Sequence, residues 1–181
     1  MPLNTRADFG EFLKERGRLG PAAEVGVADG QYSLDILKWG VSKLYMVDLW
    51  GHVPGGPGML QCPQEEHEGR YREAMKRIEP HKDRAVVLRG LSDQMAARVP
   101  AGSLDFLHVD CAHDYYSVKR DLAAWYPRVA PGGIVSGHDY LNMDYGVFEA
   151  ANEFAKERGL VIQALDVARM LDACFWMEVP E

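Results

Sequence analysis

No run of lysine and arginine occurs in these 181 residues, and the formal charge is −7. Proteins that grip nucleic acid through its phosphates show a basic face, so that class is set aside. No apolar run approaches the roughly 20 residues needed to cross a bilayer, and nothing at the N-terminus resembles a secretory leader. Cysteine is scarce and odd in number. Cys62, Cys111 and Cys174 lie far apart, which excludes a disulfide framework and a paired-cysteine metal motif. Internal repeats and low-complexity tracts are also missing. These absences predict a cytoplasmic protein in a reducing compartment, with no membrane or nucleic-acid partner. What remains is a chain 47% apolar with mixed charge, enough for one globular domain over residues 1–181.

That domain is organised around EVGVADGQYS, Glu24 to Ser33. An apolar segment (Ala22, Ala23, Val25, Val27) runs into a turn bracketed by Gly26 and Gly30. A helical pattern follows, with Tyr32, Ile36 and Trp39 on one face and Gly40 at its end. The two glycines permit backbone angles and close approaches that a β-carbon would block. Amides at the start of the helix face whatever lies above the strand end. Asp48 comes late in the next apolar run, KLYMVDLW, where a second strand offers a carboxylate to ribose hydroxyls. This is a nucleotide- or nucleoside-binding strand–loop–helix–strand unit.

The glycine spacing separates the cofactors. A dinucleotide fingerprint is G-x-G-x-x-G, its second glycine admitting the pyrophosphate. Here the spacing is G-x-x-x-G, with Ala28 at the middle position and Asp29 inside the loop. A carboxylate there repels a diphosphate and suits an ammonium or sulfonium group; Glu24 adds a second negative charge. With E-x-G-x-x-x-G in place, the chain resembles the class I S-adenosylmethionine-dependent methyltransferases. The resemblance implies a cofactor site made of Glu24, Gly26, Asp29, Gly30, Asp48, Leu91, Ser92 and Asp110.

Along the chain, residues 5–17 read as an amphipathic N-terminal helix within the leading segment 1–20. Three prolines and four glycines fall within 50–64, predicting an irregular loop at the cofactor mouth, where Trp50, His52 and Met59 line a substrate lid. A helix over 65–78 precedes a buried strand over 84–90. LSDQMAARV then predicts a helix capped by Ser92 with Leu91, Met95 and Val99 inward. LDFLHVD (104–110) is a fourth strand, followed by a helix presenting Val118, Leu122, Trp125 and Val129. Pro131-Gly132-Gly133 turns into a fifth strand, IVSGHDY; a helix and two closing strands, VIQALDV and ACFWMEV, joined through 168–172, complete the chain. The pattern predicts an α/β, Rossmann-like domain: a mostly parallel seven-stranded sheet, helices on both faces, and an antiparallel C-terminal strand. Phe175 and Trp176 in that strand suit either core or the interface of a homo-oligomer.

Ligands bind beyond the carboxyl ends of strands in open parallel sheets. Four such ends carry acids or imidazole: Glu24 to Asp29, Asp48, Asp110 to His113, and His138-Asp139. The stretch D-x-x-H-x-Y, an amphipathic helix, P-G-G and D-Y resembles a small methyltransferase family. That family is related to the metal-dependent O-methyltransferases of macrolide and aminocoumarin sugar tailoring, and the resemblance spans roughly residues 20–140. It implies a divalent metal on Asp110, His138 and Asp139, with His138 standing where the relatives carry an acid. An imidazole there shifts preference from magnesium toward transition metals. The relatives' basic acid falls on Ala112, leaving His113 as the nearest group able to take a proton near neutral pH. The expected activity is O-methylation of a small hydroxylated molecule, with His113 and Asp110 in the catalytic roles. Alternatives are a nicotinamide-dependent oxidoreductase and a cofactor-binding domain without catalysis. His108 reads as a satisfied core residue; Tyr115, Tyr116, Tyr140 and Tyr145 as a substrate wall or packing; and Cys111 as a poor nucleophile.

Overall fold

β1 (Pro21–Val25) runs through the middle of the molecule, and its Ala22, Ala23 and Val25 are fully buried. Helices cover both faces of a parallel sheet, so a central strand reads as continuously apolar rather than alternating. The computed structural model describes residues 3–56, 58–168 and 173–181. Among them β2 (Lys43–Asp48), β3 (Ala85–Arg89), β4 (Leu104–Val109), β5 (Val129–Gly137), β6 (Gln163–Leu165) and β7 (Cys174–Glu178) join β1 in one sheet. The order is β3-β2-β1-β4-β5-β7-β6. β1 to β5 are parallel, while β7 runs antiparallel to both β5 and β6. This is the Rossmann-like architecture predicted above. From β1 the chain first builds outward to β2 and β3, then returns to lay β4 on the other side. The crevice at that reversal lies at the carboxyl ends of β1 and β4, where open α/β sheets bind ligands.

Period-two alternation splits the sheet between two cores. Ala23, Val25, Leu107, Val109 and Val135 face α4 (Ser92–Ala96), α5 (Tyr115–Trp125) and α6 (Val147–Arg158). Ala22, Leu44, Met46, Phe106 and Ile134 face α1 (Phe9–Glu15), α2 (Gln31–Trp39) and α3 (Gln64–Ile78). On this second face the row above Ala22, Phe106 and Ile134 is polar: Glu24, His108 and Ser136, side by side in register. Continuing the alternation brings Gly26, Asp110 and His138 to the same face one row further.

Several local expectations change. β3 is an edge strand and half-buried, since a strand with one neighbour cannot be enclosed. α4 is five residues long, Leu91 is its N-cap and is 46% exposed, and Ser92 makes no capping bond. Val129 opens β5 instead of ending the preceding helix, and Pro131 to Gly133 lie within that strand at a register shift. Trp50, expected on a lid, is buried in the core. Phe175 and Trp176 are buried within the chain, facing opposite cores. β6 and β7 pair as expected; residues 169–172 of their connection, and Pro57 of the 50–64 loop, lie outside the described residues. No helix among the described residues is long and apolar enough to cross a membrane.

Candidate active site

Gly26 must be glycine: its φ is 96°, and a Cβ would collide with the carbonyl of Asp110, so the ends of β1 and β4 touch here. At Gly30 (φ 79°) a Cβ would meet Ala74 Cα at 2.9 Å, where α3 closes on the turn. Asp48 holds the bend between them. Its Oδ2 accepts the amides of Val27 and Ala28, both at 2.9 Å, and its Oδ1 accepts that of Trp50 at 2.7 Å. The indole of Trp50 donates back to the Ala28 carbonyl at 2.7 Å and packs edge-on against Tyr71. The amides of Gly26 and Gly30 are taken by Val47 and Val27 carbonyls, and that of Gln31 by Asp29. A diphosphate needs such amides free; here they are engaged.

The carboxylates credited with selecting the cofactor are disposed differently from expectation. Asp29 turns toward α3 and pairs with Arg77 at 3.0 Å. Glu24 is buried beneath the loop and accepts a hydrogen bond from Ser33. Burial lifts its carboxyl well above the usual carboxylate range, the Ser33 bond offsetting only part of the rise. Neither displays its charge on the ligand side, so the engaged amides carry the discrimination instead.

The negative charge is concentrated one strand over. His113 Nε2 lies 3.3 Å from Asp110 Oδ1 and 3.2 Å from Asp139 Oδ2. His138 Nδ1 lies 3.9 Å and 3.4 Å from the same two oxygens, and its buried Nε2 has no partner among the described residues. Burial works against protonation of both imidazoles, but their hydrogen bonds to Asp110 and Asp139 outweigh it and raise both above their ordinary value. Burial likewise works to raise Asp110, yet the His113 bond and surrounding imidazole charge hold it below the carboxylate range. Asp139 sits in the left-handed region at φ 55°, as do Ala28 and Trp50, the kind of strain that collects at functional sites. A methyltransferase-domain family model matches residues 23–140, spanning the glycine turn and this cluster.

The chain belongs to that methyltransferase family.

Among solved structures it is similar to an rRNA-methylase candidate from Clostridium thermocellum (TM-score 0.69, 12% identity, 98% of both chains). It is equally similar to an O-methyltransferase from Bacillus cereus in complex with SAH (0.69, 17%, covering 96% of this chain and 80% of that one). The O-methyltransferase NovP matches at 0.69 and 16%, over 97% and 78%. At these identities the likeness is one of fold. Uncharacterized protein y4gI of Sinorhizobium fredii is 32% identical over 87 residues, 45% of this chain and about a tenth of that longer protein. The methyltransferase is of class I and uses S-adenosylmethionine. Its residues suit that donor: a turn whose Gly26, Val27, Ala28, Gly30 and Gln31 amides are engaged within the chain, beside an acidic cluster that favours a cation.

The donor set of Asp110, His113 and Asp139, each offering an atom within 4.8 Å of the others, also suits a divalent cation. His113 was expected as a base beside the metal set; the structure brings it closer to the two carboxylates than His138. Other expected residues stand apart. Ser92 accepts a hydrogen bond from the Trp125 indole at 2.9 Å and lies by Asp121, whose buried carboxyl is pushed up to about 6. Burial pushes the Cys111 thiol up to about 12, consistent with a poor nucleophile. His108 is fully buried, Nδ1 near Ser136 Oγ at 3.4 Å, and burial drives it down to about 3. Of the four tyrosines only Tyr145 joins the cluster, its ring stacked on His113 at 4.7 Å. Tyr115 bonds Glu153, Tyr140 accepts from Asn152, and Tyr116 is 81% exposed. Sequence reasoning missed Trp50 and Arg77 as supports of the turn. Trp50 follows Asp48 by two residues, a spacing that suits a local side-chain-to-backbone bond, but the surrounding loop read as irregular.

Proposed function

We propose that this methyltransferase transfers the methyl group of S-adenosylmethionine to a hydroxyl of a small molecule, with a divalent ion assisting. The observation that carries the reading is the convergence of Asp110, His113, His138 and Asp139 on one point beside the glycine turn. Asp110, His138 and Asp139 would hold the ion, which would supply Lewis acidity toward the acceptor hydroxyl. His113, with 29% of its side chain exposed against 13% for His138, is the imidazole the acceptor reaches, and it removes the hydroxyl proton. Tyr145 fixes the plane of that ring. Positioning of donor and acceptor in line supplies much of the remaining rate. The charge of −7 supports a small acceptor over RNA, and three free cysteines support a cytoplasmic location.

One observation favours a second arrangement: His113 Nε2 approaches both carboxylates more closely than His138 Nδ1 does, which suits His113 as the metal's imidazole. Thermal-shift titration with S-adenosylmethionine, with and without magnesium or manganese, tests the donor and the ion, since a ligand that binds the folded state raises the midpoint. Stabilisation by the donor with no metal response removes the ion. Repeating the metal titration on His113→Ala separates the arrangements: intact metal binding keeps His113 as base, and lost binding makes it a ligand. Absence of methyl transfer to any hydroxylated acceptor, with the donor bound, would leave a cofactor-binding domain without catalysis.

A further inference from the structure

Arg6 lies in a single 3-10 turn, Arg6–Asp8, ahead of α1. Its main-chain amide donates to Asp166 Oδ2 at 3.1 Å, and the Asp166 amide donates to the Asn4 carbonyl at 2.9 Å. This two-bond clasp holds the turn over α2, with Asp166 itself left-handed at φ 56°. The guanidinium carbon of Arg6 stands 5.0 Å from the centroid of the Tyr32 ring. That ring is 4.6 Å from the imidazole of His108, which lies two residues before Asp110. Arg6 thus heads a stack that leads from the start of α2 down to the acidic cluster.

Two features of the stack point to a missing partner. Tyr32 Oη and His108 Nε2 are both buried, and neither has a hydrogen-bond partner among the described residues. Arg6 is also a free cation in this neighbourhood. Arg77 is paired with Asp29 and Arg89 with Glu68, whereas Arg6 forms no side-chain ion pair among the described residues. Half-buried Arg6 also lines a cleft of about 350 Å³ with Tyr32, Asp35, Lys38 and Trp39; Lys38 is paired with Asp35 at 3.8 Å.

The donor's methionine part carries an ammonium, a sulfonium and one carboxylate. Asp110 and Asp139 suit the cationic groups and repel the carboxylate, which therefore needs a cation of its own. We propose that Arg6 anchors the α-carboxylate of the cofactor's amino-acid end, with Tyr32 beneath it. This rests on the S-adenosylmethionine reading and adds a positioning residue to it.

The test is calorimetric titration of the full chain with S-adenosylhomocysteine and with its decarboxylated analogue, which keeps the ammonium. Wild-type protein prefers the carboxylate form by roughly 10- to 100-fold, the value of a charged hydrogen bond. Arg6→Met loses that preference by weakening only the carboxylate form, and Arg6→Lys recovers part of it. Equal weakening of both ligands by Arg6→Met marks a merely structural role and overturns the anchor. So does equal wild-type affinity for the two ligands, or an unchanged preference in the variant. Wild-type protein that binds neither nucleoside defeats the cofactor reading itself, and the anchor falls with it.

Discussion

At the ends of β1 and β2 the amides of Gly26, Val27, Ala28, Gly30 and Gln31 all have partners within the chain. At the ends of β4 and β5, each of two imidazoles lies within 4 Å of both carboxylates, while Nε2 of His138 has no partner among the described residues. The first region is a finished piece of scaffold. The second is held together by protons shared between acids and imidazoles, an arrangement a cation can replace. Damage to the first should therefore register as lost stability, and damage to the second as lost chemistry.

The largest expected effect is on the second region. His113→Ala should lower turnover by ~10² to 10⁴, the range for a general base, with S-adenosylhomocysteine affinity unchanged by calorimetry. Unaltered turnover would remove His113 from proton transfer. In the scaffold, Trp50→Ala should cost about 3–5 kcal/mol in chemical denaturation, because it leaves a cavity and frees the Ala28 carbonyl. A surface-like cost under about 0.5 kcal/mol would return Trp50 to the lid. Gly26→Ala should cost about 2–4 kcal/mol from positive φ and the collision with Asp110, and should abolish donor binding. A variant of normal stability that still binds would show that β1 and β4 do not meet there.

The response to pH sharpens the contrast further. His113 and His138 are raised in the folded state, so their contribution is complete below about 6.5, their unfolded value, and is lost as pH climbs through the folded values. Asp121, at about 6 against an ordinary 3.8, has the same sign: the folded state holds its proton more tightly, and stability falls between those two values. Asp110 runs the opposite way, its contribution being lost as acid protonates it. The metal-free melting temperature should thus decline from pH 6 to 8, and a divalent ion should reverse the decline. The smallest effect is that of Asp121→Asn, a gain on the order of 1 kcal/mol at pH 8. A flat melting profile with and without metal would count against the charged cluster.

The framework was legible because it depends on local periodicity. Two-residue and 3.6-residue patterns marked the seven strands and the main helices, and the G-x-x-x-G turn with Asp48 placed the crevice. Asp110, His113, His138 and Asp139 were legible as strand-end residues, since parallel strands must deliver their carboxyl ends together. What escaped notice is non-local. Arg77 reaches Asp29 across 48 residues and cancels the charge on which the cofactor choice had rested. Trp50 resembled a loop residue because its neighbours are glycine and proline, and nothing in spacing shows that an indole will turn inward. Arg6 carried no signal at all, because its significance comes from Asp166, 160 residues away. His138 was expected as the metal's imidazole, and spacing alone did not show that His113, 25 positions earlier, competes for the same pair of oxygens.

The bracing of the glycine turn by Asp48 has a kinetic corollary. A bend held shut by its own carboxylate has no folding left to do when the nucleoside arrives, so little entropy is spent on ordering it. Donor association should then proceed at a rate set by encounter, with its residence time governed by the contacts made afterwards.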